Sequence, residues 1–277
     1  MLARARPGRR SPVPVLSFVA VSGYRGGLIA IRGARLDLVA LTCELHLVRS
    51  RRLRSPDGTP VTSVFDGQQP LALTDFQVQV ARLFFSLPAA QGFLLAGGAA
   101  LVAQHLTSRP TQDLDFFTRV GATSVPAARD ALEIAARTQG WSVDRVRDEA
   151  TFCRLVVHGN DDLLVDLALD SPPEHPATAS LIGPTFAPRE LAGRKVVALF
   201  DRAEARDFAD VFELSQHFSK EDLLAEASEV DRGFDRQIFA EMLRSLARFS
   251  DADLPAPETH IASMRDFFAT WADQLDT

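Results

Sequence analysis

The 277-residue chain has little cysteine, lysine or tyrosine: two, two and one residues. Two cysteines, Cys43 and Cys153, cannot build a disulfide framework. Both lie in apolar or strand-like stretches and read as small core residues. No apolar run reaches the ~18 residues that cross a bilayer, so no membrane association is expected. The six histidines lack zinc-ligand spacing. His105 reads as a packed or hydrogen-bonded residue rather than a base. Arg4, Arg6, Arg9 and Arg10 precede an apolar stretch at 13–21, as in a secretion leader. Pro14 breaks that stretch and no small-x-small cleavage site follows, so a cytoplasmic protein is expected. Lysine is so scarce beside arginine that Lys195 and Lys220 each invite a reason for not being arginine.

What is present is ordinary globular material. A chain 46% hydrophobic and 24% charged can bury one large core or two modest ones. The net charge of −6 hides an asymmetry. Residues 1–60 hold eleven arginines against only Asp37, Glu44 and Asp57, whereas the remainder is acidic. This basic stretch reads as an attractor of phosphate polymers, as a poorly ordered tail, or as a start site placed too far upstream.

Gly, Pro and Arg punctuate short β-like runs up to about residue 70, where a boundary falls. Thr74-Asp75 opens a helix whose apolar residues Phe76, Val80, Leu83 and Phe84 recur at helical spacing, and Leu87-Pro88 ends it. Gly92 to Ala96 is a short buried strand. Gly97-Gly98 turns the chain into a helix from about Ala99 to Leu106. Asp113 to Phe117 is a strand, and Pro126 to Gln139 a helix closed by Gly140. Thr151 to Val157 and Leu163 to Leu169 form a hairpin. Helices are expected near 188–200, 205–218, 220–229, 235–249 and 258–274. Phe93, Phe116 and Phe117 read as core. The organisation is thus a basic segment (1–70), a mixed α/β core (71–185) and a helical C-terminal part (186–277).

The chemistry concentrates at the glycine pair and the acids that follow it. On a strand, Asp113 and Asp115 point to the same face. Side by side they repel, and a divalent cation between them is the simplest resolution; hard oxygen donors suit Mg²⁺ or Mn²⁺. A third carboxylate, Asp166, stands inside the apolar run of a later strand. Lys195 sits mid-helix among Val196, Val197 and Leu199, where it either snorkels to solvent or neutralises a phosphate. Asp207 and Asp210 open a helix, where acids suit the dipole and share a face. Arg109 either binds phosphate or anchors its loop. Lys220, at another helix start, reads as surface.

In order, Gly-Gly, a helix, Asp-x-Asp and a later Asp resemble the nucleotidyltransferase superfamily that includes DNA polymerase β. Arg109-x-Thr111-x-Asp113-Leu114-Asp115, the stretch from Glu190 to Phe200 with Lys195, and Arg206-Asp207-x-x-Asp210 resemble one family within it. That family is the AbiEii/AbiGii nucleotidyltransferase toxins, which include the MenT toxins. The resemblance covers about residues 75–218. It implies a polymerase-β-like nucleotidyltransferase core with a helical C-terminal domain. It also implies an enzyme, one half of a toxin–antitoxin pair, that moves a nucleotide from a nucleoside triphosphate to tRNA and is met by a cognate antitoxin.

Further implications concern single residues. Gly97, Gly98 and Ala99, with Arg109, Thr111 and Lys195, would cradle the triphosphate. Asp113, Asp115 and Asp166 would hold Mg²⁺ or Mn²⁺. Lys195, Asp207 and Asp210 would complete the catalytic set, without a choice between the last two. Ala99 departs from the family, which often has Thr or Ser there. Arg109, Arg189, Arg194 and Arg206 are expected to form a basic groove for the acceptor. The competing functions are the same transfer to a small molecule or protein, and a non-catalytic nucleotide-binding module.

Overall fold

The computed structural model describes residues 72–276. The expectations for residues 1–70, the basic segment and Cys43 among them, lie outside the described residues. Among the described residues, no helix is long and apolar enough to cross a membrane.

Helix α1 (Asp75–Phe85) starts where Thr74 caps it. The Thr74 hydroxyl accepts from the Gln77 N–H at 3.1 Å, and the Gln77 side chain accepts from the Thr74 N–H at 2.8 Å. Strand β1 (Leu94–Ala96) runs directly into α2 (Gly97–Ala103). Strand β2 (Asp113–Arg119), helix α3 (Val125–Thr138) and strands β3 (Ser142–Asp148), β4 (Phe152–His158) and β5 (Asp162–Asp170) follow. Two short strands, β6 (Thr178–Ala179) and β7 (Pro184–Thr185), complete a seven-stranded mixed sheet in the order β3-β4-β5-β2-β1-β7-β6. At its centre β2 is parallel to β5 and antiparallel to β1. The fold is mixed α/β, as expected.

Alternation within strands separates two faces. Cys153, Leu155 and Val157 on β4 and Leu163, Val165 and Leu167 on β5 are buried, and α3 packs against β3, β4 and β5. Phe84 stacks on Phe116 with centroids 4.2 Å apart and meets Phe93 edge-on, so Phe93 and Phe116 are core. Burial pushes the Cys153 thiol up to about 11, consistent with a small core residue.

The C-terminal part is helical: α4 (Pro188–Arg202), α5 (Ala205–Leu214), α6 (Lys220–Val230), α7 (Arg236–Arg244) and α8 (Glu258–Leu275). Phe208, Phe239, Phe268 and Trp271 form its aromatic core. Helices α4 and α6 cross closely at Gly193, where a Cβ would lie 2.7 Å from the Glu226 carbonyl carbon.

The structure differs from expectation in several places, the short strands β6 and β7 among them. Strand β3 was not anticipated; only Val143 along it is even half-buried, so no apolar alternation marks it. Helix α2 starts at Gly97 rather than Ala99. Helix α5 stops at Leu214, and the stretch 235–249 divides into α7 and a 3-10 turn at Ser245–Arg248. His105 is exposed at φ +56°, just past the end of α2, and is not packed.

On an open helix surface, Gly→Ala stabilises by up to about 1 kcal/mol. Gly193→Ala should instead destabilise by about 1–3 kcal/mol, because its methyl group meets backbone of α6. Urea unfolding, with the midpoint moving down, checks the sign.

Candidate active site

Sheet register assembles the acids. Asp115 on β2 lies beside Asp166 on β5, and Asp166 lies beside Arg154 on β4. One transverse row, Ala96–Asp115–Asp166–Arg154, therefore crosses four strands on a single face. Asp113 and Phe117 share that face with Asp115. The row borders a cleft of about 1720 Å³, which Gly97, Gly98 and Lys195 also line.

Each acid meets a different environment. Asp166 receives two hydrogen bonds from the Arg154 guanidinium, at 2.8 and 2.6 Å. Asp113 accepts from the Thr111 hydroxyl at 2.8 Å and has Arg206 at 3.7 Å. Asp115 has no hydrogen-bond donor among the described residues. Burial, followed by the charges of Asp113 and Asp166, pushes its carboxyl up to about 7, against the pull of Lys195 and Arg206.

Gly97 accommodates this carboxylate. Its φ is +60°, and a Cβ there would fall 1.8 Å from Asp115 Oδ2. Gly98 does the same for Thr111, whose Oγ1 would be 2.7 Å from an added Cβ. Ala99 is fully buried in the core, so any contact with a ligand would come from its backbone.

Behind the cleft wall runs a chain of alternating charges: Arg109, Asp210, Lys195, Asp207, Arg202. Arg109 forks onto Asp210 at 2.7 and 2.9 Å. Lys195 Nζ stands 2.9 Å from Asp210 and 3.6 Å from Asp207. Arg202 forks onto Asp207 with both bonds at 2.9 Å. Asp207 also accepts from the Glu204 N–H and so caps its own helix. Asp207 and Asp210 are fully buried, whereas Lys195 reaches the cleft. Burial alone would raise the Asp207 pKa; the Arg202 hydrogen bonds and the Lys195 charge override it and hold the carboxyl below its ordinary range.

The structure thus brings together Gly97, Gly98, Asp113, Asp115, Asp166, Thr111, Arg109 and Lys195 around one cleft. It places Asp207 and Asp210 behind Lys195. The arginines expected to form a basic groove each face carboxylates: Arg109 faces Asp210, Arg189 faces Asp222 and Glu226, Arg194 faces Asp170 and Glu190, and Arg206 faces Glu204 and Asp113. Arg154 and Arg202 went unnoticed in the sequence, and Phe117, expected in the core, is half-buried and lines the cleft. Arg154 was findable: counting six residues either way from Asn160, the hairpin centre, gives Arg154 and Asp166.

Among the described residues, no group of three or more His, Cys, Asp or Glu side chains is arranged to hold a metal ion. Asp113 and Asp115 still suit a divalent cation. They offer hard oxygens on one face, and the second is a half-buried carboxylate without a donor among the described residues.

The family model for the AbiEii nucleotidyltransferase toxins of type IV toxin–antitoxin systems matches residues 81–275. The chain belongs to this family, and it is a nucleotidyltransferase. Several solved structures are similar. JHP933 of Helicobacter pylori is 18% identical with a TM-score of 0.49, over 74% of this chain and 95% of its own. The nucleotidyltransferase toxin MenT4 of Mycobacterium tuberculosis H37Rv is 20% identical with a TM-score of 0.49, over 72% and 82%. The antibiotic-resistance factor ANT(2'')-Ia is 12% identical with a TM-score of 0.39, over 63% and 98%. Likenesses this distant decide nothing about the acceptor. The chain matches no curated protein.

Asp210→Ala leaves Lys195 and Arg109 without their shared partner, and should destabilise the protein by about 3–5 kcal/mol in urea unfolding. The depressed pKa of Asp207 has a definite sign. Its stabilising contribution is complete above the ordinary carboxylate value of 3.8 and is lost as pH falls through the lower, folded value. Acid unfolding followed below about pH 4 should therefore lose a proton-linked component in Asp207→Asn.

Proposed function

We propose that this protein is the toxin of a toxin–antitoxin pair that transfers a nucleotide from a nucleoside triphosphate to the acceptor end of tRNA. The reaction depends on Mg²⁺ or Mn²⁺, takes place in the cytoplasm and blocks translation. A cognate antitoxin protein restrains it. Family membership supports the toxin and transferase roles. The observation that carries the site is Asp115, a half-buried carboxylate without a donor among the described residues, which lies against the glycine turn and beside two further acids.

Asp113 and Asp115 would hold the divalent cation. When bound, it supplies positive charge against the triphosphate and favours departure of pyrophosphate. The Gly97-Gly98 turn, free of Cβ atoms, lets backbone approach the phosphates. Lys195 brings an ammonium to the cleft edge, and Asp207 and Asp210 fix its position. Asp166 gives one lone pair from each oxygen to Arg154 and keeps two acceptor sites, enough to orient an acceptor hydroxyl. That hydroxyl attacks the α-phosphorus. A new P–O bond forms, the bond to the bridging oxygen breaks, and the hydroxyl proton leaves toward Asp166 or solvent.

Asp115→Asn should lower transfer of α-labelled nucleotide to total tRNA by more than about a hundredfold. Chelation with EDTA should stop the wild-type reaction and added Mg²⁺ restore it. Undiminished labelling by the variant would refute the site. Labelling confined to protein or to small molecules would refute the acceptor.

A further inference from the structure

Strand β3 contains a bulge whose effect is to turn one arginine. Val143 and Arg145 face α3; Arg145 reaches Glu133 at 2.5 Å and Asp148 at 2.9 Å on that side. Simple alternation would place Arg147 there too. The register instead shifts between Arg145 and Arg147, and Val146 is the extra residue, 61% exposed. Arg147 thereby pairs with Arg154 and turns to the face that bears Asp166 and Asp115.

Two arginines directly opposite across strands repel, so this placement opposes stability. Between them lies Phe152, two residues before Arg154 on the same face of β4. The Arg147 guanidinium sits 5.1 Å and that of Arg154 5.7 Å from the ring centroid. The side chains of Arg147 and Arg154 are 60% and 42% exposed. Their acidic partners are the exposed Glu149 for Arg147 and Asp166 for Arg154. Arg154 also lines the cleft. The result is an open cluster of two guanidinium planes and one aromatic ring, continuous with the row of carboxylates.

We infer that Arg147, Phe152 and Arg154 form the platform that receives the single-stranded end of the RNA acceptor. Guanidinium and aromatic planes both stack on unpaired bases, and the arginines attract backbone phosphates. Arg147 and Arg154 lie on the outer strands of the sheet, away from the cleft interior lined by Gly97, Gly98 and Lys195. The triphosphate enters there, while the polymer lies along the outer β3–β4 edge with its terminal hydroxyl pointing inward past Asp166. This inference rests on the proposed RNA acceptor.

The test uses the full chain, a fluorescent twelve-nucleotide single-stranded RNA with a free 3′ hydroxyl, and total tRNA. Arg147→Glu should raise the Kd for the oligonucleotide about tenfold and reduce the slope of log K against log salt by about one. Phe152→Leu should weaken binding severalfold with the slope unchanged. In both variants KM for tRNA should rise with kcat little altered, which a purely structural role would not produce. Melting temperature serves as the control for folding; if Arg147→Glu melts early, Arg147→Gln carries the same direction of change. Wild-type binding and labelling of RNA that both substitutions leave intact would overturn the platform alone. No labelling of RNA by the wild-type protein would overturn the RNA acceptor as well.

Discussion

Strands β2 and β5 run parallel and in register, which forces Asp115 and Asp166 to be neighbours. Alternation along β2 adds Asp113 to the same face. Three like charges in one patch of sheet oppose folding unless something meets each of them. The protein meets two from within: a guanidinium fork for Asp166, and a hydroxyl with a distant arginine for Asp113. The third, Asp115, is left to an external cation or a proton. Much of the surrounding sequence serves that one unmet charge. Gly97 leaves room for its oxygen, and Lys195 stands near enough to temper it.

The helical part contributes charge to the cleft through Lys195 and its two acids. Arg109 lies on the loop leading into β2, while Asp210 belongs to α5 and Lys195 to α4. Their ion pairs tie the loop before β2 to two helices, and a hydrogen bond from the Ser108 N–H to Glu213 reinforces the connection. Membership of the family makes the chain a nucleotidyltransferase, and the cleft beside the carboxylate row is where we place its chemistry. Family membership leaves the acceptor open, and the outer edge of the sheet offers a physical reason to choose one.

Much of the architecture could be read from the sequence because local signals were strong there. Thr74-Asp75 marked a helix start, the segment from His158 to Asp162 marked a hairpin, and the glycine pair marked a turn into a helix. The grouping of Asp113, Asp115 and Asp166 near one cleft followed from alternation and from the family pattern. Strand β3 escaped because an edge strand covered on one face and rich in Asp and Arg carries almost no apolar period. The partners of Lys195 could only be narrowed, since i, i+3 spacing on α5 makes Asp207 and Asp210 neighbours without saying which acid faces α4. The pairing of groove arginines with carboxylates was hidden for another reason. Ion pairs such as Arg109 with Asp210 span about a hundred positions, and no local pattern reports them.

The buried relay from Arg109 to Arg202 has a consequence for how such a protein changes over generations. Five side chains of alternating sign share their partners, so replacing any inner member strands two others in a poorly hydrated setting. A route to a different arrangement must change several positions together or pass through a weakened ancestor. Drift is therefore easiest at the ends of the relay, where Arg202 is nearly half exposed and water can substitute for a lost neighbour. The middle, Lys195 with its two acids, is the part that history is least able to rewrite.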